Sequence, residues 1–93
     1  MRKPNIAILG ATGVVGREIT KIIDELKIDF NEIKFLSSAK SAGTKLEFQG
    51  KTYTVEEAKP ESFDGVNIVL ASAGGSTSQK FAPEIVKRGG VLI

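Results

Sequence analysis

The sequence predicts an α/β fold: a doubly wound parallel sheet interrupted by one small β-hairpin. Three observations carry this. Apolar runs alternate with a stretch of helical periodicity and then with a second one. The runs at 5–9 and 66–71 lack strict polar alternation, as strands buried on both faces do. A glycine-rich turn links the first run to the first helix. Strand and helix in alternation favour parallel pairing through right-handed crossovers.

The first strand is expected at Asn5–Leu9. The stretch 14–26 follows as a helix. Val15, Ile19, Ile22, Ile23 and Leu26 form its apolar stripe, while Arg17, Glu18, Lys21, Asp24 and Glu25 take the opposite side. Thr12 is the residue expected to cap it. Ile33, Lys34, Phe35 and Leu36 make the second strand, and 37–43 the loop at its carboxyl end. Leu46 and Phe48, then Tyr53 and Val55, alternate with polar residues around Gln49-Gly50, which predicts a hairpin with one wet face.

A short turn or single helical turn is expected over 60–65, and a buried strand over 66–71. The next helix should place Phe81, Ala82, Ile85 and Val86 on one face and end before Gly89-Gly90. Pro83 should either open that helix or kink it. The predicted strand order is 3-2-1-4, with an incomplete further strand starting at Val91. A chain that stops three residues into a fresh apolar run reads as truncated. Residues 1–93 are therefore expected to be the incomplete N-terminal domain of a longer protein.

The turn comprises Gly10, Ala11, Thr12, Gly13, Val14, Val15 and Gly16. Strand, glycine turn and helix in this order form the phosphate-binding corner of a Rossmann-like dinucleotide fold. A glycine can adopt positive φ in the tight turn, another lets backbone approach a pyrophosphate, and a third lets the helix lie close. The helix N-terminus offers N–H groups and partial positive charge to the diphosphate. Ligands in such sheets bind beyond the carboxyl ends of the strands. Loops 10–16, 37–43 and 72–78 are expected to meet there.

The second of these loops bears on which dinucleotide binds. Folds that prefer NAD place Asp or Glu at the end of the second strand, to hold the ribose 2′-hydroxyl. This chain has Ser37 and Ser38 there, followed by Lys40 and Ser41. Hydroxyls and an ammonium group suit a 2′-phosphate, which a carboxylate would repel. NADP is the expected cofactor. The small, hydroxyl-rich loop 72–78 is the second candidate contact, with Thr77 as its candidate residue and helix capping by Ser76 or Ser78 as the alternative.

Composition excludes several classes. The 93 residues are 41% hydrophobic and 26% charged, with net charge +2, as in ordinary globular domains. The basic residues form no run with interleaved aromatics, so no nucleic-acid partner is expected. No apolar run approaches the ~20 residues of a membrane span, and the N-terminus runs straight into a strand, so no signal peptide or membrane partner is expected. There is no cysteine, which agrees with a cytoplasmic protein. Cysteine and histidine are both absent, so this portion supplies neither thiolate nor imidazole. No catalytic or metal-binding residue is expected in it.

Three stretches together resemble a known family. The glycine turn, the loop Leu36-Ser-Ser-Ala-Lys-Ser-Ala-Gly43, and Ser72-Ala-Gly-Gly-Ser-Thr-Ser78 with Phe81-Ala-Pro83 are similar, in order and spacing, to the N-terminal part of aspartate-β-semialdehyde dehydrogenase. The segment Val66-Asn-Ile-Val-Leu70 fits too. The resemblance implies an enzyme that reduces β-aspartyl phosphate to aspartate semialdehyde with NADPH, in lysine, threonine and methionine synthesis. It implies a cysteine nucleophile, a histidine acid–base and most of the substrate contacts beyond residue 93, and a homo-oligomeric full-length protein. It assigns the 2′-phosphate to Ser38, Lys40, Ser41 and Thr77, the diphosphate to Gly10 through Gly16, and the lining of the cofactor cleft to Ser72 and Gly74. Many members carry arginine where this chain has Lys40, so looser cofactor discrimination is expected. Two alternatives stay open at this point. One is the N-terminal part of N-acetyl-γ-glutamyl-phosphate reductase. The other is a non-catalytic NADP-binding sensor module.

Overall fold

The computed structural model describes residues 3–71 and 75–93, with side chains from Lys80 onward in the second stretch. Its elements are β1 (Asn5–Leu9), α1 (Val14–Glu25), β2 (Glu32–Ser37), β3 (Lys45–Phe48), β4 (Lys51–Thr54), β5 (Glu56–Glu57), a 3₁₀ turn (Pro60–Phe63), β6 (Ile68–Ala71), α2 (Gly75–Lys87) and β7 (Val91–Leu92). The main sheet is parallel, in the order β5-β2-β1-β6-β7. In β1, Ile8 lies opposite Phe35 on one side and Leu70 on the other.

The predicted 3-2-1-4 order is found, and its third position is filled by a strand the sequence does not announce. Glu56 and Glu57 are two exposed acids. They become a strand because their backbone pairs with Leu36 and Ser37 of β2. The N–H of Ala58 extends the ladder to the Ser37 carbonyl at 2.8 Å.

Alternation along the strands feeds two apolar layers. Ile6, Ile8, Ile33 and Phe35 join Ile23 of α1 and Phe48 of the hairpin on one face. Ala7, Leu9, Leu36 and Val69 meet Phe63, Phe81 and Ile85 on the other. The sheet is thus covered by α1 and the hairpin on one side, and by α2 and the 3₁₀ turn on the other. The hairpin turns through Gln49 (φ 52°) and Gly50 (φ 79°), two positive φ values that suit a two-residue hairpin turn. Phe35 packs edge-on against Tyr53 and Phe48, with ring centroids 5.1 and 5.9 Å away.

Several local expectations need correction. Only Ile23 of the predicted α1 stripe is buried, and Ile19 is partly so. Val15, Ile22 and Leu26 are exposed. The sheet and hairpin cover a narrower arc of α1 than its apolar residues span. On α2, Phe81 and Ile85 are buried but Val86 is 67% exposed. Of the two positions expected for Pro83, the interior one is found, within α2. Thr12 does not cap α1. The N-cap is Gly13, which makes no side-chain cap, and the Thr12 hydroxyl is engaged elsewhere.

The amino ends of the strands are laced by amides. The Asn5 N–H donates to Asn67 Oδ1 at 2.7 Å, and its side-chain amide donates to the Gly65 carbonyl at 2.8 Å. Asn31 Nδ2 donates to Asn5 Oδ1 at 2.8 Å. Near the end of α2, Arg88 pairs with Asp64 at 2.6 Å and with Glu84. Hydrogen bonds from Arg88, to Glu84 first and then to Asp64, raise its pKa further above the ordinary arginine value. These contacts lie away from the carboxyl ends of the strands and leave that edge to the loops.

Candidate functional site

At the carboxyl edge, β1 ends in Gly10, whose φ of 85° turns the chain sharply away from the sheet. The N–H groups of Gly10 and Ala11 both donate to the Leu36 carbonyl, at 2.8 and 3.0 Å. The glycine turn is therefore clipped to the end of β2, next to the serine–lysine loop. Ala11 is buried. Gly13 N–H returns to the Gly10 carbonyl at 3.1 Å, and the Gly13 carbonyl accepts from Arg17 N–H at 3.0 Å.

Val14 and Val15 occupy the first helical positions of α1 and are exposed. With no side chain capping this end, the first N–H groups of the helix lack the partner that a capping hydroxyl would supply. Gly16 is buried where the helix presses on the turn. A Cβ there would lie 2.2 Å from the Gly10 carbonyl oxygen. At Gly13 the same atom would make an ordinary contact of 3.4 Å.

The second loop folds into successive turns. Ser41 and Ala42 N–H groups donate to the Ser38 carbonyl at 3.0 and 3.1 Å. Thr44 Oγ1 donates to the Ser41 carbonyl at 2.7 Å. Gly43 N–H reaches the Val55 carbonyl at 2.7 Å, tying the loop to the end of the hairpin. Ser38 and Lys40 are exposed and Ser41 is half-buried. Lys40 shares no ion pair with the described residues, so its ammonium group is open to a ligand.

The structure thus brings the first two predicted loops together through Leu36. For the third, β6 ends at Ala71 beside Leu9. Ser72 and Gly74 lie outside the described residues, and so does the side chain of Thr77.

Two features of this edge are not evident from sequence patterns. The hydroxyls of Thr12 and Ser37 lie 3.1 Å apart, a contact between residues that only the fold makes neighbours. A cleft of about 400 Å³ also runs from Ala11 and Thr12 between α1 and the hairpin, past Arg17, Lys21 and Lys45. The i, i+4 spacing of Arg17 and Lys21 is its only sequence trace. Among the described residues, no cluster of His, Cys, Asp and Glu could hold a metal ion. No helix there is long and apolar enough to cross a membrane.

Comparison with known proteins places this geometry. Residues 5–93 match the family model of the semialdehyde dehydrogenase NAD-binding domain. An aspartate-semialdehyde dehydrogenase of Bacillus subtilis is 52% identical over 89 residues, which are 96% of this chain and 26% of the relative. One from Synechocystis is 46% identical, over 95% of this chain and 26% of the relative. The chain therefore spans about a quarter of the length of these relatives. The crystal structure of aspartate semialdehyde dehydrogenase II from Vibrio cholerae superposes with a TM-score of 0.92 at 36% identity. That match covers 98% of this chain and 27% of the other. A Rex-family repressor superposes with a TM-score of 0.71 at 19% identity, over 97% of this chain and 44% of the other, a likeness of fold alone. The matched region is the N-terminal, nicotinamide-dinucleotide-binding region of aspartate-semialdehyde dehydrogenases, and this chain belongs to the semialdehyde dehydrogenase NAD-binding domain family.

Proposed function

We propose that this chain is the NADP-binding part of an aspartate-semialdehyde dehydrogenase. The whole enzyme would reduce β-aspartyl phosphate to aspartate semialdehyde in the cytoplasm, in the synthesis of lysine, threonine and methionine. Its catalytic cysteine and histidine, most substrate contacts and its homo-oligomeric interfaces would lie outside these 93 residues. Bound NADPH would supply the hydride. The observation that carries the NADP assignment is the serine–lysine loop at the end of β2, clipped beside an uncapped helix start.

Each residue has a part in this reading. Gly10 through Gly16 hold the diphosphate. The N–H groups at the start of α1 face its negative charge. Ser38, Lys40 and Ser41 hold the 2′-phosphate through charge-assisted hydrogen bonds, with Thr77 as a further contact. Ser72 and Gly74 line the cofactor cleft. The absence of Asp or Glu at Ser37 and Ser38 supports NADP over NAD, because a carboxylate there would oppose the extra phosphate. The sister reductase and the sensor module are not better supported than this reading.

Calorimetric titration of the full-length protein with NADP⁺ and with NAD⁺ tests the cofactor assignment. Tighter binding of NADP⁺ is expected. Equal affinity for the two would overturn the assignment of the serine–lysine loop.

A further inference from the structure

We propose that Ser37, paired with Thr12, is a specificity-determining residue that makes the end of β2 a hydrogen-bond donor toward the 2′-phosphate of the nucleotide. This rests on the NADP reading above and goes beyond it. That reading assigns the phosphate to the exposed loop residues, whereas Ser37 is the half-buried last residue of β2.

Its position is the one from which dinucleotide folds read the ribose, about 20 residues past the glycine fingerprint at the end of the second strand. An acid there offers acceptors only, suited to a free 2′-hydroxyl. Ser37 places a hydroxyl there instead, with its Oγ 3.1 Å from Thr12 Oγ1. The backbone holds the two side chains in register. Gly10 and Ala11 N–H both donate to the Leu36 carbonyl, so the glycine turn is pinned to the residue immediately before Ser37. Thr12, which sequence logic assigns to capping α1, leaves that end uncapped and pairs with Ser37.

The chemistry of a hydroxyl pair follows from its proton count. Each hydroxyl has one proton and two acceptor lone pairs. Whichever donates across the 3.1 Å contact, one proton is consumed and the other remains for a ligand. With Thr12 donating, the remaining proton is that of Ser37, and the mutual contact restricts the rotation an isolated serine would have. A phosphate monoester carries roughly −1.5 to −2 charge and accepts hydrogen bonds. It gains more from that donor than an uncharged ribose hydroxyl does, because a hydrogen bond to a charged acceptor is the stronger. Ser38, Lys40 and Ser41 follow directly in the chain and add charge and further donors around the same group.

The test is the ratio of NADP⁺ to NAD⁺ dissociation constants, measured calorimetrically on the full-length protein and its variants. Ser37→Asp should weaken NADP⁺ roughly 30-fold or more while NAD⁺ changes little or improves, through repulsion of the phosphate and loss of a donor to a charged group. Ser37→Ala should weaken NADP⁺ roughly tenfold with NAD⁺ little changed, and Ser37→Thr, which keeps the hydroxyl, should restore the ratio. Thr12→Val removes the pair from its other side; because Thr12 also lies in the turn assigned to the diphosphate, it should weaken both cofactors, NADP⁺ more than NAD⁺. A purely structural serine would lose both cofactors in parallel. Parallel loss in Ser37→Ala, or an unchanged ratio in Ser37→Asp, overturns the proposal. If Lys40→Glu shifts the ratio and the Ser37 variants do not, Ser37 alone is misassigned. A wild-type protein without NADP⁺ preference rejects the NADP reading, and this proposal with it.

Discussion

Gly16 of α1 lies so close to the Gly10 carbonyl that no other residue fits. A Cβ on Gly16 would stand 2.2 Å from that oxygen and 2.9 Å from Ala11 Cα. Both neighbours are backbone atoms in a turn held by two hydrogen bonds to Leu36, so neither can move without breaking the clip.

Gly16→Ala should therefore cost about 3 kcal/mol of stability by overpacking. Gly13→Ala should cost about 1 kcal/mol or less, because its added Cβ makes an ordinary 3.4 Å contact and its φ of −76° suits alanine. Urea denaturation of the two variants should separate them clearly. Equal losses would mean that the helix does not press on the turn as described.

Lys40→Glu should weaken NADP⁺ by about 2 kcal/mol or more, replacing a charge-assisted contact with repulsion. NAD⁺ should bind nearly as before, and the protein should remain folded, since Lys40 is exposed and shares no ion pair with the described residues. Titration with both cofactors checks this. Equal loss for the two would remove Lys40 from the phosphate site.

Substitutions on α1 should separate the one buried side chain of the predicted stripe from its exposed members. Ile23→Ala leaves a cavity beside Ile6, Ile8 and Phe35 and should cost about 2–5 kcal/mol. Leu26→Ala, at a position 68% exposed, should change stability by about 0.5 kcal/mol or less. Chemical denaturation of both variants gives the comparison. A large loss from Leu26→Ala would place it inside an apolar contact.

On the proposed function, the 93-residue chain by itself should show no dehydrogenase activity, because it holds neither the cysteine nor the histidine that the family resemblance implies for the whole enzyme. The assay is phosphate-dependent formation of NADPH from aspartate semialdehyde. Measurable turnover by the purified chain would show that some other residue carries the chemistry.

Much of the fold is legible in the sequence. The continuous apolar runs of β1 and β6, the alternation at Leu46, Phe48 and Tyr53, and the turn at Gln49-Gly50 mark strands and hairpin by their periods. The glycine turn is legible because its spacing and both flanks agree. By contrast, β5 is invisible, since nothing in Glu56-Glu57 favours a strand and only pairing with Leu36 and Ser37 makes one. Val15, Ile22 and Leu26 mislead because a helical stripe records which residues are apolar, and the width of the covering surface decides which are buried.

Thr12 shows the same division within the site. As a local signal it is a good cap, yet in the fold its hydroxyl meets Ser37. The sequence by itself determined the parallel α/β class, the glycine turn between β1 and α1 and the serine–lysine loop, because each depends on residues adjacent or nearly adjacent in the chain. Only the tertiary structure decided the place of β5, the buried side of α1 and the Thr12–Ser37 pair. These depend on which distant segments arrive side by side, and backbone pairing between strands, which side-chain patterns do not encode, sets that arrangement.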